Sequence, residues 1–190
     1  MADSTAAGYL RPGTSPPYGN ELEDVFQRAI VGITGIPGNM IRPKYQPSPA
    51  NQPGFDVDWC AFSVYVEPRM WNPHKAVLPD GSYVVEGTEV LAVACSFYGP
   101  NYQALETSWR DGVHLGQNLD ELVAQKIAFI EFDDPVVVPV LLKQQWVKKA
   151  DVKATFHRWT SRTYPVLSLV DAPGTINSDG TSVTFDIPLP

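Results

Sequence analysis

Four prolines, Pro43, Pro47, Pro49 and Pro53, fall within IRPKYQPSPANQPGF at residues 41–55. Each fixes its own φ and lacks an N–H, so the stretch forms neither a helix nor a central strand. It is expected to run extended and polyproline-like, over its own subunit or against a neighbouring molecule. A connection this long inside a compact domain is functional or a linker far more often than a plain turn.

The whole chain has 190 residues, of which 18 are proline, about twice the usual share. That length suits one domain with an arm and buries enough surface to fold without staples. Fourteen Lys and Arg against 21 Asp and Glu leave a formal charge of −7, which repels phosphate backbones and anionic lipids unless the cations are segregated. The densest basic cluster, Lys143, Lys148, Lys149, Lys153 and Arg158, is broken by apolar residues and Asp151. Non-specific nucleic-acid binding is therefore not expected. MADSTAAGYLRPG lacks a basic start and an apolar stretch, and no run of about 18 apolar residues occurs, so neither classical secretion nor membrane spanning is expected. Cys60 and Cys95 lie in strand-like segments and could be cross-strand neighbours. Without a secretion signal they are read as reduced core thiols.

Residues 1–19 are small, polar and Pro-rich and are expected to form a flexible arm, followed by a single domain over 20–190. Leu22, Val25, Phe26, Ala29, Ile30 and Ile33 mark one helical stripe, with Asn20 as cap, acids in the first turn, and Gly35 and Pro37 at the end. DWCAFSVYV places Trp59, Ala61, Ser63 and Tyr65 on one strand face and Cys60, Phe62, Val64 and Val66 on the other. With both faces largely apolar, the strand is expected to be covered on both sides. A second strand is expected over 82–98, helices over 101–114 and 118–130, a loop through EFDDPVVVPVLLKQQW, then strands in DVKATFHRWTSR, YPVLSLVDA and TSVTFDI after an Asp179-Gly180 turn. The order gives an α+β fold with an antiparallel, or mixed, β-sheet flanked by helices.

No catalytic or metal constellation emerges. His74, His114 and His157 lack partners at ligand spacing, and Glu131, Asp133 and Asp134 fit a solvated turn. The familiar nucleophile-elbow, phosphate-loop and zinc-helix motifs are absent. No cofactor is implied. The aromatic, Pro-bracketed loops around a small sheet point instead to a protein that assembles with copies of itself.

RPKYQPSPANQPGFDVDWCAFSV, a Pro-rich strap leading into an Asp-x-Asp-Trp-Cys-Ala-Phe strand, resembles the neck and tail-terminator proteins of tailed bacteriophages. QNLDELVAQKIAFIEFDDPVVVPVLLKQQWVKKADVKATFHRW is similar to the same family's helix, Pro-rich turn and Trp-x-x-basic-x-Asp approach to a long strand. Together the two stretches extend the likeness over roughly residues 21–170. Where the family commonly carries Arg before the Asp, this chain has Lys148-Lys149-Ala150-Asp151. A lysine replaces an ion-pairing arginine imperfectly.

The resemblance implies a structural virion subunit, not an enzyme, that forms a ring, hexameric in expectation, at the neck. Such a ring would terminate the tail tube and join the tail to the head connector or stopper proteins. DNA would pass through without specific binding, aided by a like-charged lumen. The expected interface residues are Trp146, Lys148, Lys149 and Asp151 at the start of the long strand, with Arg42, Tyr45 and Trp59 on the strap and its docking strand. Assembly would take place in the host cytoplasm. Two other neck or binding roles compete: a head-closure protein, and a monomeric carbohydrate module stacking sugars on Trp71 and Tyr83. A hydrolase built from Asp133 or Asp134 with His157 is a third class.

Overall fold

The structure is a computed structural model that describes residues 9–46, 51–68, 73–142, 144–166, 174–178 and 181–185. Among the described residues three α-helices and nine strands, with a single 3-10 turn at Gly38–Met40, follow in the order α1 (Asn20–Thr34), β1 (Ile41–Pro43), β2 (Trp59–Pro68), β3 (His74–Val77), β4 (Tyr83–Tyr98), α2 (Tyr102–Gly112), α3 (Gly116–Ala124), β5 (Ile127–Phe132), β6 (Val136–Leu142), β7 (Gln145–Tyr164), β8 (Gly174–Ser178) and β9 (Thr181–Phe185). A seven-stranded mixed sheet has the path β1-β2-β4-β7-β5, with β3 also pairing β4 and β6 also pairing β7. The fold is α+β, as the order of patterns implied. The chain divides into two compact units, residues 16–73 with 86–160, and residues 1–15 with 74–85 and 161–190.

In the larger unit α1 forms because its apolar residues recur at helical spacing, and it buries Leu22, Val25, Phe26, Ala29 and Ile30. Its cap differs from expectation. Gly19 holds the cap position with φ 56°, and its carbonyl accepts from the Leu22 and Glu23 N–H groups at 3.1 and 3.0 Å, leaving Asn20 as the first helical residue. The helix stops at Gly35, whose left-handed φ of 72° lets its N–H bond back to Val31 O. Phe26 meets Phe156 of β7 with ring centroids 5.1 Å apart. Around them Cys60 and Phe62 of β2, Leu91, Val93, Cys95 and Phe97 of β4, and Val152 and Ala154 of β7 close the core. Both cysteines are free and buried, and burial, then a hydrogen bond with Cys95, pushes the Cys60 thiol well above its ordinary pKa.

Two close approaches require glycine. A Cβ on Gly112 would strike the Ile33 side chain, so the bare position lets Ile33 of α1 lie close against α2. Gly99 has φ 106°, and a Cβ there would lie 2.5 Å from Asp58 Oδ1. That tight turn lets Asp58 accept from both the backbone N–H and the side-chain Nδ2 of Asn101, each at 2.9 Å, pinning the start of α2 to β2.

Two expectations are corrected here. The helix expected over 118–130 is α3 and ends at Ala124, because Lys126 takes a left-handed φ of 57° and Ile127–Phe132 pairs with β7. The expected loop over 131–146 contains β6, which pairs with β7 from Val136↔Asp151 to Leu142↔Gln145. Pro139 is tolerated there because β6 has no partner on its other edge among the described residues.

One face of the larger unit's sheet carries the helices, and the other carries none among the described residues. The strap joins the sheet edge, where Lys44 N–H donates to Phe62 O at 2.7 Å and β1 runs parallel to β2 from Ile41↔Cys60 to Pro43↔Phe62, and its Gln52 and Pro53 stand beside Trp59 and Ala61 on the helix-free face. Pro47 and Pro49 of the strap lie outside the described residues. The edge of β1 is closed: Pro43 has no N–H, and Ile41 O accepts from Gln27 Nε2 at 2.8 Å.

Of the arm expected over 1–19, the described residues 9–18 hold no helix or strand. Its end is anchored. Pro17 O accepts from Arg158 Nη1 at 2.6 Å, Tyr18 Oη donates to Glu89, and the Arg158 guanidinium lies 4.6 Å from the Tyr18 ring.

In the smaller unit β8 and β9 form a two-stranded antiparallel ribbon from Gly174↔Phe185 to Ser178↔Thr181. The expected Asp179-Gly180 turn lies outside the described residues, as does most of the YPVLSLVDA segment. Gly13 N–H donates to Thr163 O at 2.8 Å, and Asp80 accepts from the Ser82 backbone and hydroxyl at the turn after β3.

Candidate functional site

The seven residues singled out in the sequence fall on two surfaces of the larger unit. The first is a groove of about 510 Å3 on the helix-free face, between the strap and β2, β4 and β7. Arg42, Trp59 and Lys149 line it. Its floor exists because β2 and β4 pair antiparallel with Trp59 opposite Tyr98 and Ala61 opposite Ser96. The two rings stack with centroids 4.1 Å apart and planes 5° off parallel. Trp59 is half-buried and faces the groove, because the core face of β2 belongs to Cys60 and Phe62.

Arg42 staples the strap. Its Nε donates to Asn39 O at 2.9 Å and its Nη1 to Asn51 O at 2.6 Å. Tyr45 on the strap is 78% exposed, and a hydrogen bond with Tyr65 raises its phenol above the ordinary value. At the opposite wall Lys149 Nζ lies 2.7 Å from Asp151 Oδ2 and 5.9 Å from the centre of the Tyr98 ring. Ser96 Oγ donates to Asp151 Oδ1 at 2.5 Å. Burial is the main cause that raises the Tyr98 phenol, opposed by Lys149 and assisted by Asp151. Asp151 therefore binds β4 to β7 beside the groove, on the same face as Lys149.

The second surface is the β6–β7 hairpin. Lys149 sits beside Tyr98, the last residue of β4, so the β7 residues before it extend past the end of that strand. Trp146 pairs with Leu141 across the hairpin, and they are 73% and 58% exposed. Val136 and Val137 are also exposed. Lys148 pairs with Pro139. Thus the structure gathers Arg42, Trp59, Lys149 and Asp151 around one groove, leaves Tyr45 on its strap, and separates Trp146 and Lys148 onto the hairpin. Sequence reasoning missed Tyr98, Ser96 and Leu141; the first two carry no local signal, whereas Leu141 lay in an apolar run assigned to a loop.

Asp133 is engaged by Lys153 Nζ at 2.9 Å, which raises the Lys153 pKa. Among the described residues no group of three His, Cys, Asp or Glu could hold a metal ion, and no helix is long and apolar enough to cross a membrane. Trp71, the stacking partner suggested for Tyr83, lies outside the described residues.

No curated protein matches the sequence. A family model described as phage neck terminator protein matches residues 20–181, most of the chain and both surfaces. The chain belongs to the phage neck terminator protein family and is a structural protein of the bacteriophage neck.

Proposed function

We propose that the chain closes with copies of itself into a sixfold ring at the neck, that the ring caps the last layer of the tail tube, and that it joins the tail to the head connector. The observation that carries this reading is the β6–β7 hairpin, which projects beyond β4 with Leu141 and Trp146 in solvent. An apolar ribbon of this kind is costly on a lone subunit and suited to a neighbour. A hairpin of one copy laid on a different surface of the next is a heterologous contact, the type that generates rings when the rotation closes. The tail-tube protein and the connector or stopper proteins are then its partners, with assembly in the host cytoplasm before the virion is complete. Its charge of −7 keeps the passing DNA from adhering.

Native mass spectrometry over a wide concentration range, with and without purified tail tubes, tests it. The expected species lies near six times 20.9 kDa, free or on the tube end. Trp146→Ser together with Leu141→Ser should abolish that species while leaving the circular dichroism unchanged. A stable dimer or trimer, or a wild-type chain that stays monomeric and leaves tube ends uncapped, overturns the ring.

A further inference from the structure

The groove on the helix-free face is cationic in an acidic protein. Arg42, Lys44 and Lys149 line it, and no carboxylate does, although acids outnumber bases by 21 to 14 in the chain. Lys149 is neutralised by Asp151. Arg42 and Lys44 pair with no carboxylate among the described residues. Arg42 uses two of its N–H donors on the carbonyls of Asn39 and Asn51, which leaves three of the five that a guanidinium carries. Those two bonds also hold the guanidinium in place, so little side-chain entropy remains to be lost on binding an anion.

The remaining walls define the occupant further. Gln46 and Gln52 stand on the strap side, Pro43 and Pro53 add apolar surface, and Trp59 and Tyr98 form the floor. An amide side chain both donates and accepts, which matches a peptide backbone; a phosphate backbone offers acceptors only. Asp151, beside the groove on the same face of β7, and the net charge of −7 repel a continuous polyphosphate more than a short peptide with a few carboxylates. The volume lies within the range of built binding sites, about 300–1,000 Å3. The closed edge of β1 excludes strand addition there, so recognition must come from side chains. The hairpin of a second copy is a poor match, because it brings Lys148 toward cations.

We infer that this groove binds an acidic, extended segment of a second protein, with a carboxylate held by Arg42 and Lys44 and the chain laid over the Trp59–Tyr98 stack. This interaction is separate from the hairpin contact and does not require the ring.

The test is a titration of the 15N-labelled full chain, followed by amide chemical shifts, with a capped hexaglutamate peptide, a capped hexalysine peptide and the oligonucleotide dT12. Saturable shifts with hexaglutamate at Arg42, Lys44, Ala61, Ser96 and Lys149 are expected, with at least tenfold weaker binding in Lys44→Glu and a smaller loss in Arg42→Lys. Lys44 makes no hydrogen bond through its side chain among the described residues, so the variant spectrum should retain its dispersion and report binding rather than folding. Diffuse or unsaturable shifts, equal response to hexalysine, or indifference to Lys44→Glu overturn the inference. Tighter binding of dT12 at the same amides overturns it in favour of a nucleic-acid site.

Discussion

Arg158, wholly buried on β7, bonds through Nη2 to Glu89 on β4 at 2.5 Å. Two charges out of water hold each other and the end of the arm, through Pro17 and Tyr18. Removing one partner leaves the other uncompensated. Glu89→Ala should cost about 3–5 kcal/mol in urea unfolding. Glu89→Met combined with Arg158→Met should recover most of that loss; a double variant as unstable as the single would show that the arm contacts, not the charges, dominate.

Gly112→Ala should destabilise the larger unit by about 1–3 kcal/mol, because the new methyl meets Ile33. Adding Ile33→Ala should remove the strain at the expense of a small cavity. Thermal melts of the two single variants and the pair check this: an additive pair would mean the two side chains never meet.

The Cys60 thiol stays protonated above the pH at which the unfolded thiol ionises, since its folded pKa is raised by burial and by Cys95. The native state then binds the extra proton, so this stability is fully present below about pH 8.5–9 and declines as pH rises toward the folded value. The slope it adds is about 1.4 kcal/mol per pH unit. Urea unfolding between pH 8 and pH 10 should show that slope lessened in Cys60→Ala, and a slope identical in both proteins would remove Cys60 as its source.

Asp151→Ala should leave a folded subunit yet weaken it by about 1–2 kcal/mol, because the Ser96 hydroxyl and Lys149 lose their shared acceptor. Asp151→Asn should keep the Ser96 bond and lose less. Assembly should fall as well, because Asp151 ties to β4 the stretch of β7 from which the β6–β7 hairpin projects. Unchanged assembly in Asp151→Ala, scored by native mass spectrometry, would mark Asp151 as a brace within the subunit alone.

Where a pattern was local, the residues announced the structure. The stripe from Leu22 to Ile33 gave α1, and the alternation about Cys60 and Phe62 separated the two faces of β2 without telling which of them is core. KIAFI failed because a short apolar run satisfies helix and strand periods alike, and only pairing with Phe156 and Arg158 decides for the strand. VVVPVLL failed because a proline argues against a strand until the strand is known to lie at an edge. The groove was legible only in part. Arg42 and Trp59 were marked by the strap, but Tyr98 reaches Trp59 through β2–β4 register, and Ser96 meets Asp151 across 55 positions of chain.

β7 runs unbroken for 20 residues, from Gln145 on the hairpin to Tyr164, passing Phe156 in the core on the way. Ladder bonds lie across a strand, so a pull along its axis loads many of them together instead of parting them one at a time. Tension applied at Trp146 is therefore delivered in shear to the flanking strands β4 and β5. A neighbour that grips the hairpin thus holds the handle and the anchor on one continuous backbone.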